Sequence, residues 1–429
     1  MEQLWEFLSF SEPNIRYVTF GSILLCGSAA VVGSFIFLKK KALVGDAVAH
    51  SVLPGVCLGF LLAGNKNPVL LISGAFITGW LSLVIIDYIS ARSKIKEDTA
   101  IGLILSVFFG IGILLLTYIQ HTGNASQSGL DHFLFGKAAA MVSSDVNIFS
   151  GIAFTLIIAV ALFFKEFTLI SFDSDFAKTI GFPVKRLELV LTTLTVLAIV
   201  AGIQAIGVVL MAAILITPAA AARFWTNNLK KMVFLAAAFG GFSGLVGAFI
   251  SYAAPAMPTG PWIVMVISFV ALFSFFFAPQ KGIVMKLISR KKMENRMRDE
   301  NILKLLFQLG QKDGNYYQQR SIEEILAKRP FKPKQLITSL ERLRSQGFLE
   351  NGDGRWKFTQ AGQKKGARMV KLHRLWEVYL TRYLRIASDH VHEDAETIEH
   401  IITPDLEAKL EKLLEYPVKD PHQSDIPYL

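Results

Sequence analysis

The sequence predicts an all-α polytopic membrane bundle of eight or nine transmembrane helices, followed by a cytoplasmic part that begins as a winged helix. Three observations predict it. From Ile15 to Ala278 the chain is a series of long apolar runs, and a helix needs roughly 20 apolar residues to cross the hydrocarbon core. Lys and Arg collect on one side of those runs, as they do in cytoplasmic loops. From Arg290 onward the composition turns dense in charge, with the order helix, helix–turn–helix, strand pair.

The apolar runs lie at about 15–38, 46–63, 68–90, 99–119, 146–164, 187–203, 206–225, 232–252 and 261–278. They make nine spans, or eight if the short pair around Gly202 and Gly207 is one broken helix. With nine spans and the N-terminus outside, one side receives 15 basic residues (Lys39–Lys41, Arg92, Lys94, Lys96, Lys165, Lys178, Lys185, Arg186, Arg223, Lys230, Lys231, Lys281 and Lys286). The other receives Arg16, Lys66 and Lys137. That imbalance sets the orientation and puts residue 290 and everything after it in the cytoplasm. Glycine-rich stretches such as FGGFSGLVGAF (239–249) read as close helix packing through small residues. Cys26 and Cys57 fall in apolar runs and read as packing residues rather than a disulfide. The opening MEQLWEFLSF lacks a basic region and a cleavage site, so no removable signal peptide is expected.

Ionisable residues at membrane depth are costly unless paired or hydrated. VGDAVAHSVLPG (44–55) places Asp46 and His50 four apart, on one helix face. A carboxylate beside an imidazole either holds a borderline divalent cation such as Mn²⁺, Fe²⁺ or Zn²⁺, or forms an Asp–His hydrogen bond. Glu97 and Asp98 are expected to cap the helix that follows them, and Asp87 to pair with Arg92 or be solvated. His121, Asp131 and His132 fall in an external loop. The phosphate-cradling GxxxxGK[ST] does not occur in the sequence, so active transport would need a separate ATPase or an ion gradient, and the chain is not expected to be an enzyme. SFDSDFAKTIGFPVKR (171–186) lies in a cytoplasmic loop of this topology. There Asp173 or Ser174 caps a short helix that Gly181 and Pro183 end.

The second half starts with the basic run Arg290, Lys291, Lys292, Arg296 and Arg298. SIEEILAKRPFKPKQLITSLERLRSQGFL (321–349) reads as helix, turn, helix, with Ser321 and Glu324 as a capping box. WKFT (356–359) reads as a short strand. The start of the recognition helix would present Lys332, Lys334, Gln335, Thr338 and Ser339, as a contact to DNA or to protein. Next, His373 and Glu377 lie four apart, and Glu396, Glu399 and His400 fall at i, i+3, i+4 in HVHEDAETIEH (390–400). Such oxygen and nitrogen sets suit a hard-to-borderline metal, or simply a solvated acidic face.

GDAVAHSVLPG, KEDTAIGLILSVFFGIGILL, FDSDFAKTIGFPV, GVVLMAAILITPAAAA and PTGPWIVM occur in the order found in permeases of metal-type ABC importers, and residues 15–280 resemble that family. The resemblance implies a paired or homodimeric permease, an extracytoplasmic metal-binding receptor, a cytoplasmic ATPase, and a translocation path lined by Asp46 and His50. It also implies that Asp173, Ser174, Asp175, Phe176, Ala177, Lys178, Gly181 and Pro183 form a coupling helix that receives force from the ATPase.

HRLWE, VHEDAETIEHIITPDL and LLEYPVKDPHQSDIP are similar to the diphtheria toxin repressor and manganese-responsive repressor family over residues 299–427. That resemblance implies a winged-helix plus helical dimerisation domain. It places Glu396, Glu399 and His400 in a primary metal site and His373, Glu377 and His392 in a second. A glutamate at 396 resembles the manganese type. The first-helix positions that close the family's site are Asn301 and Lys304 here, and a protonated lysine cannot bind metal; Asp299 or Glu300 would serve after a register shift. The expected domains are 1–285 (permease), 286–298 (basic linker), 299–370 (winged helix) and 371–429 (metal binding and dimerisation). The expected function is the permease of an ATP-driven importer of Mn²⁺, or of Fe²⁺ or Zn²⁺, in a bacterial inner membrane. Its metal-sensing tail would regulate transport or transcription. The alternative is a membrane-anchored, metal-responsive DNA-binding regulator that does not transport.

Overall fold

The computed structural model describes residues 2–64, 67–121, 136, 141–254, 257–386, 398–400 and 402–428. The chain divides into two compact units, Met1–Lys286 and Leu287–Leu429.

The first unit is a helical bundle. A short α1 (Glu2–Ser9) is followed by α2 (Pro13–Leu38), α3 (Val44–Ser51), α4 (Leu53–Ala63), α5 (Pro68–Arg92) and α6 (Glu97–His121). Then come α7 (Ser143–Leu162), α8 (Phe164–Phe172), α9 (Ser174–Thr179), α10 (Val184–Ile206), α11 (Val208–Trp225), α12 (Leu229–Ala253) and α13 (Thr259–Phe277). Among the described residues eight helical segments are long and apolar enough to span a membrane, α3 and α4 together forming one of them, and the shorter α11 is a further apolar helix. The pair expected around Gly202 and Gly207 is two helices. Gly207 separates them with φ +97°, a conformation that a side chain would strain.

Helices in lipid gain little from hiding apolar surface, so they bind by close backbone contact. The small residues of the sequence serve that end. A Cβ on Gly33 of α2 would lie 1.7 Å from the Leu215 carbonyl oxygen of α11. Gly240 and Gly244 of α12 likewise sit against the Cys26 and Ser22 carbonyls of α2. Cys26 and Cys57 are buried free thiols, as expected.

Charges at the helix ends tie the bundle together. Lys39 donates to Glu188 at 2.6 Å, and Lys41 lies 2.8 Å from Glu97 and 3.4 Å from Asp87. Asp87 therefore pairs with Lys41 and not with Arg92, whose guanidinium stacks over the Tyr88 ring. Glu97, expected as a cap, serves the same lysine.

The second unit contains a winged helix. Helix α14 (Ile283–Asp313) is followed by α15 (Ile322–Lys328), α16 (Pro333–Ser345), β1 (Leu349–Gly352), β2 (Arg355–Phe358), α17 (Gln360–Tyr383) and α18 (Pro404–Leu413). The Ser321 hydroxyl accepts the Glu324 amide at the start of α15. The strands pair antiparallel, Leu349 opposite Phe358, through the two-residue turn Asp353-Gly354 with positive φ at both positions; Asp-Gly favours that turn because its twist matches the strands. Ile302, Phe307, Leu336, Leu340, Trp356 and Val370 share one core, and Leu375, Val378, Leu410 and Ile426 a second. Lys371 joins α17 to α18 through Glu407 at 2.7 Å and Glu411 at 2.6 Å.

Two expected boundaries do not fall where the sequence put them. Residues 286–298 are not a separate linker. They run within α14, supported by the i,i+4 pairs Arg290–Glu294 and Arg296–Glu300. The expected division at 370/371 lies inside α17.

Replacing Gly33 by valine is expected to cost about 2 kcal/mol or more, because Leu215 meets it with backbone rather than a movable side chain. Gly110→Ala, with nothing within 4 Å of the added carbon, is the matched control. Thermal unfolding of the purified chain in detergent should drop clearly for Gly33→Val and stay put for Gly110→Ala.

Candidate functional site

Helix α3 lies inside the bundle, packed on α5, α6, α10 and α11. Val44, Ala47, Val48 and Ala49 bury its apolar side, and Gly45 lets it approach Ala212 of α11. This leaves Asp46 and His50 half-buried on a helix with no lipid-facing role. No hydrogen bond joins them. His50 Nδ1 is buried without a partner, and the ring meets Phe109 edge-on at 5.1 Å. Leu53-Pro54 then interrupts the helix: Pro54 has no N–H to offer the His50 carbonyl, which a continuous helix would use. A carboxylate, a free imidazole nitrogen and a released carbonyl near one turn form a donor set fit for a passing cation. Of the residues expected in an external loop, His121 ends α6 in an exposed position, while Asp131 and His132 lie outside the described residues.

The loop after α8 builds a small rigid knob. Asp173 caps α9 by accepting the Phe176 amide at 2.8 Å. Ser174 and Asp175 open the helix, and Lys178 pairs with Asp175 at 2.9 Å. Gly181, with φ +87°, donates to the Lys178 carbonyl, and Phe182 donates to Ala177, which closes the helix end. Ala177 is buried under the knob and Pro183 leads into α10. Phe172, Phe176, Ile180 and Phe182 are all exposed. Four large apolar side chains on one loop outside the spans form an exposed apolar patch.

In the second unit, α14, α17 and the segment around 400 bring charged side chains together. Lys304 Nζ donates to both carboxylate oxygens of Glu399 at 3.0 and 3.1 Å and lies 2.9 Å from His373 Nδ1. His373 contacts Glu399 through Nδ1 and Glu377 through Nε2 at 3.1 Å. Burial and the Lys304 charge work against an imidazolium at His373, but hydrogen bonds to Glu377 and Glu399 prevail and raise its pKa above the ordinary histidine value. Glu300 lies 2.7 Å from His400 Nδ1 and 3.1 Å from Arg296. Burial opposes its charge, yet those two partners hold the Glu300 carboxyl below the usual carboxylate range. Asp299 is taken by a two-pronged bond from Arg342 at 2.6 and 2.7 Å, so it is no substitute ligand.

Of the six residues expected to bind metal in this unit, His373 and Glu377 were assigned to one site and Glu399 and His400 to another; here His373 links the two sets by contacting both Glu377 and Glu399, and His392 and Glu396 lie outside the described residues. Their arrangement is a charge network rather than a coordination sphere. Among the described residues no group of three His, Cys, Asp or Glu is placed to hold a metal. The cationic position is filled by Lys304. Glu300 is the partner that sequence reasoning weighed only after a register shift, although its spacing from Arg296 was a visible signal.

On α16, Lys332, Lys334, Gln335 and Thr338 are exposed. Ser339 is not available for a surface contact. It is fully buried and bonds Arg342 at 3.0 Å, because it falls on the same stripe as Leu336, Leu340 and Leu343.

Residues 11–278 match the model of the ABC 3 transport family, well over half of the sequence. The chain belongs to the ABC 3 transport family. Residues 359–428 match the iron dependent repressor, metal binding and dimerisation domain. The chain is 41% identical over 394 residues to the manganese transport system membrane protein MntC of Bacillus subtilis, covering 92% of this chain and 89% of that one. An alignment of that length extends beyond the 286 residues of the first unit. The zinc transport system membrane protein TroC of Treponema pallidum is 40% identical over 66% of this chain and 95% of its own. The solved structure of PsaBC from Streptococcus pneumoniae in complex with Fab superposes with a TM-score of 0.59 at 35% identity, over 67% of this chain and 99% of that one. The protein is an integral membrane permease with a repressor-like C-terminal part.

Proposed function

We propose that the chain is the permease subunit of an ATP-driven importer of a divalent transition metal, Mn²⁺ foremost, and that its tail regulates transport or transcription in response to that ion. Asp46 and His50 on α3 carry this reading. They sit on an inner helix, are not bonded to each other, and include a buried nitrogen without a partner. A half-buried carboxylate and an unsatisfied imidazole inside a bundle are costly unless a cargo meets them. Manganese and zinc both appear in the names of the relatives, and the donor types suit Mn²⁺, Fe²⁺ and Zn²⁺. A separate cytoplasmic ATPase docks on the α9 knob. An extracytoplasmic receptor delivers the ion, a second permease copy or a paralogue completes the path, and the N-terminus faces outside.

The test is uptake of radioactive Mn²⁺ with Fe²⁺ and Zn²⁺ as competitors. Alanine at both Asp46 and His50 should cut uptake on the order of 10-fold or more in a complex that still contains its ATPase. Undiminished uptake would sink the reading. Replacing residues 173–183 by a flexible Gly/Ser stretch of equal length should abolish copurification of the ATPase while the permease stays in the membrane. An ATPase still bound would place the docking surface elsewhere.

A second reading of the tail, contact with DNA, is favoured by one observation. Lys332, Lys334, Gln335 and Thr338 are exposed at the start of α16, where a winged helix addresses the major groove. Full-length protein in nanodiscs should retard its own upstream DNA in the presence of Mn²⁺, and Lys332→Glu with Lys334→Glu should remove the shift. Equal retardation by that variant would exclude this face.

A further inference from the structure

We propose that Lys304 is an internal cation seated in the tail's metal centre, so that a divalent ion is admitted only by displacing it, and that this competition sets the ion concentration at which the tail responds. The inference rests on the reading of the tail as a metal sensor and adds the means by which its threshold is set.

Three facts carry it. Lys304 is only 3% exposed, and its ammonium lies within 2.9–3.1 Å of three atoms of the expected ligand set, both oxygens of Glu399 and Nδ1 of His373. Both oxygens of Glu399 accept from this one ammonium, which is how a resident cation is held rather than how a surface lysine passes by. Glu399 is itself 1% exposed, so its charge must be met inside the protein, as Lys304 and His373 meet it here and as a metal would. Finally, His400 Nε2 is buried without a hydrogen bond and stands 3.6 Å from Glu399 Oε1. This nitrogen is a donor in waiting beside the carboxylate that Lys304 occupies. Metal and ammonium cannot share Glu399, since both are positive and both need the same oxygens. A lysine stem has four rotatable carbons, so the head group can leave the centre without unfolding α14.

The experiment titrates Mn²⁺ into the full-length chain in nanodiscs by calorimetry. Asp46→Ala and His50→Ala are present in every sample, so the membrane site adds no heat and the result does not depend on transport. Lys304→Met should bind Mn²⁺ about tenfold tighter than the parent or more, or gain a site where the parent shows none. Lys304→Gln, which keeps hydrogen-bonding capacity, should do the same and covers the case in which methionine unsettles the buried carboxylate. Adding Glu399→Gln to either variant should erase the gain. A parent that binds Mn²⁺ as tightly as both variants overturns the role of Lys304 while leaving the sensor reading intact. No binding by parent or by either variant overturns both. A gain that survives Glu399→Gln also overturns the proposal, because the ion would then be elsewhere.

Discussion

A charge withdrawn from water has to be answered by an opposite charge or by a ligand that brings one, and both units of this chain are arranged around that requirement. In the bundle the answers at the helix ends are internal, since Lys39 meets Glu188 and Lys41 meets Glu97 and Asp87. On α3 the answer is withheld. Asp46 and His50 are not bonded to each other, and the histidine keeps a buried nitrogen unsatisfied. On the function proposed above, this incomplete pair is where a positive cargo would be stabilised without being trapped. The Pro54 break adds to this by releasing a backbone carbonyl next to it.

Close backbone packing makes that incompleteness tolerable. Gly33, Gly240 and Gly244 bring α2 against α11 and α12 with no side chain between them. The framework is therefore stiff where it must be, and the polar residues of α3 are held by neighbours rather than by their own bonds. The same division appears in the tail. Its two apolar cores fix α14, α16, α17 and α18, and the charged network can then rearrange about Lys304 without carrying the fold.

Features governed by neighbours in sequence were legible. Asp173 and Ser321 as caps and Gly181 as a helix terminator all act within a few residues. The apolar spans were legible for the same reason. Features governed by distant partners were not. Asp87 was expected to pair with Arg92, five residues away, or to be solvated; it stays exposed and faces Lys41, 46 residues back. The continuity of α14 through 286–298 was hidden because a basic run shows no apolar period, and its support comes from i,i+4 ion pairs instead. Ser339 is the instructive miss: its phase with Leu336, Leu340 and Leu343 was present in the sequence, and reading the helix face would have placed it inside. For the tail, spacing paired His373 with Glu377 and Glu399 with His400 but showed neither the contact between His373 and Glu399 nor the place of Lys304, whose head group lands on residues 69 and 95 positions away.

A sensor that shares a polypeptide with a permease faces a difficulty that a free repressor does not. Covalent attachment fixes its ratio to the importer at one to one, and a paired permease would hold two tails at high effective concentration, so dimerisation of the tails is no longer limited by encounter. With that step made easy, a bare ligand set would respond to the first ions delivered, and regulation would follow transport without a threshold. An ammonium already bound to Glu399 and His373 supplies the missing opposition, because each ion must outcompete a tethered charge that never diffuses away. The strength of that opposition is a property of the sequence at position 304, set independently of both the affinity of the ligands and the chemistry of the path through α3.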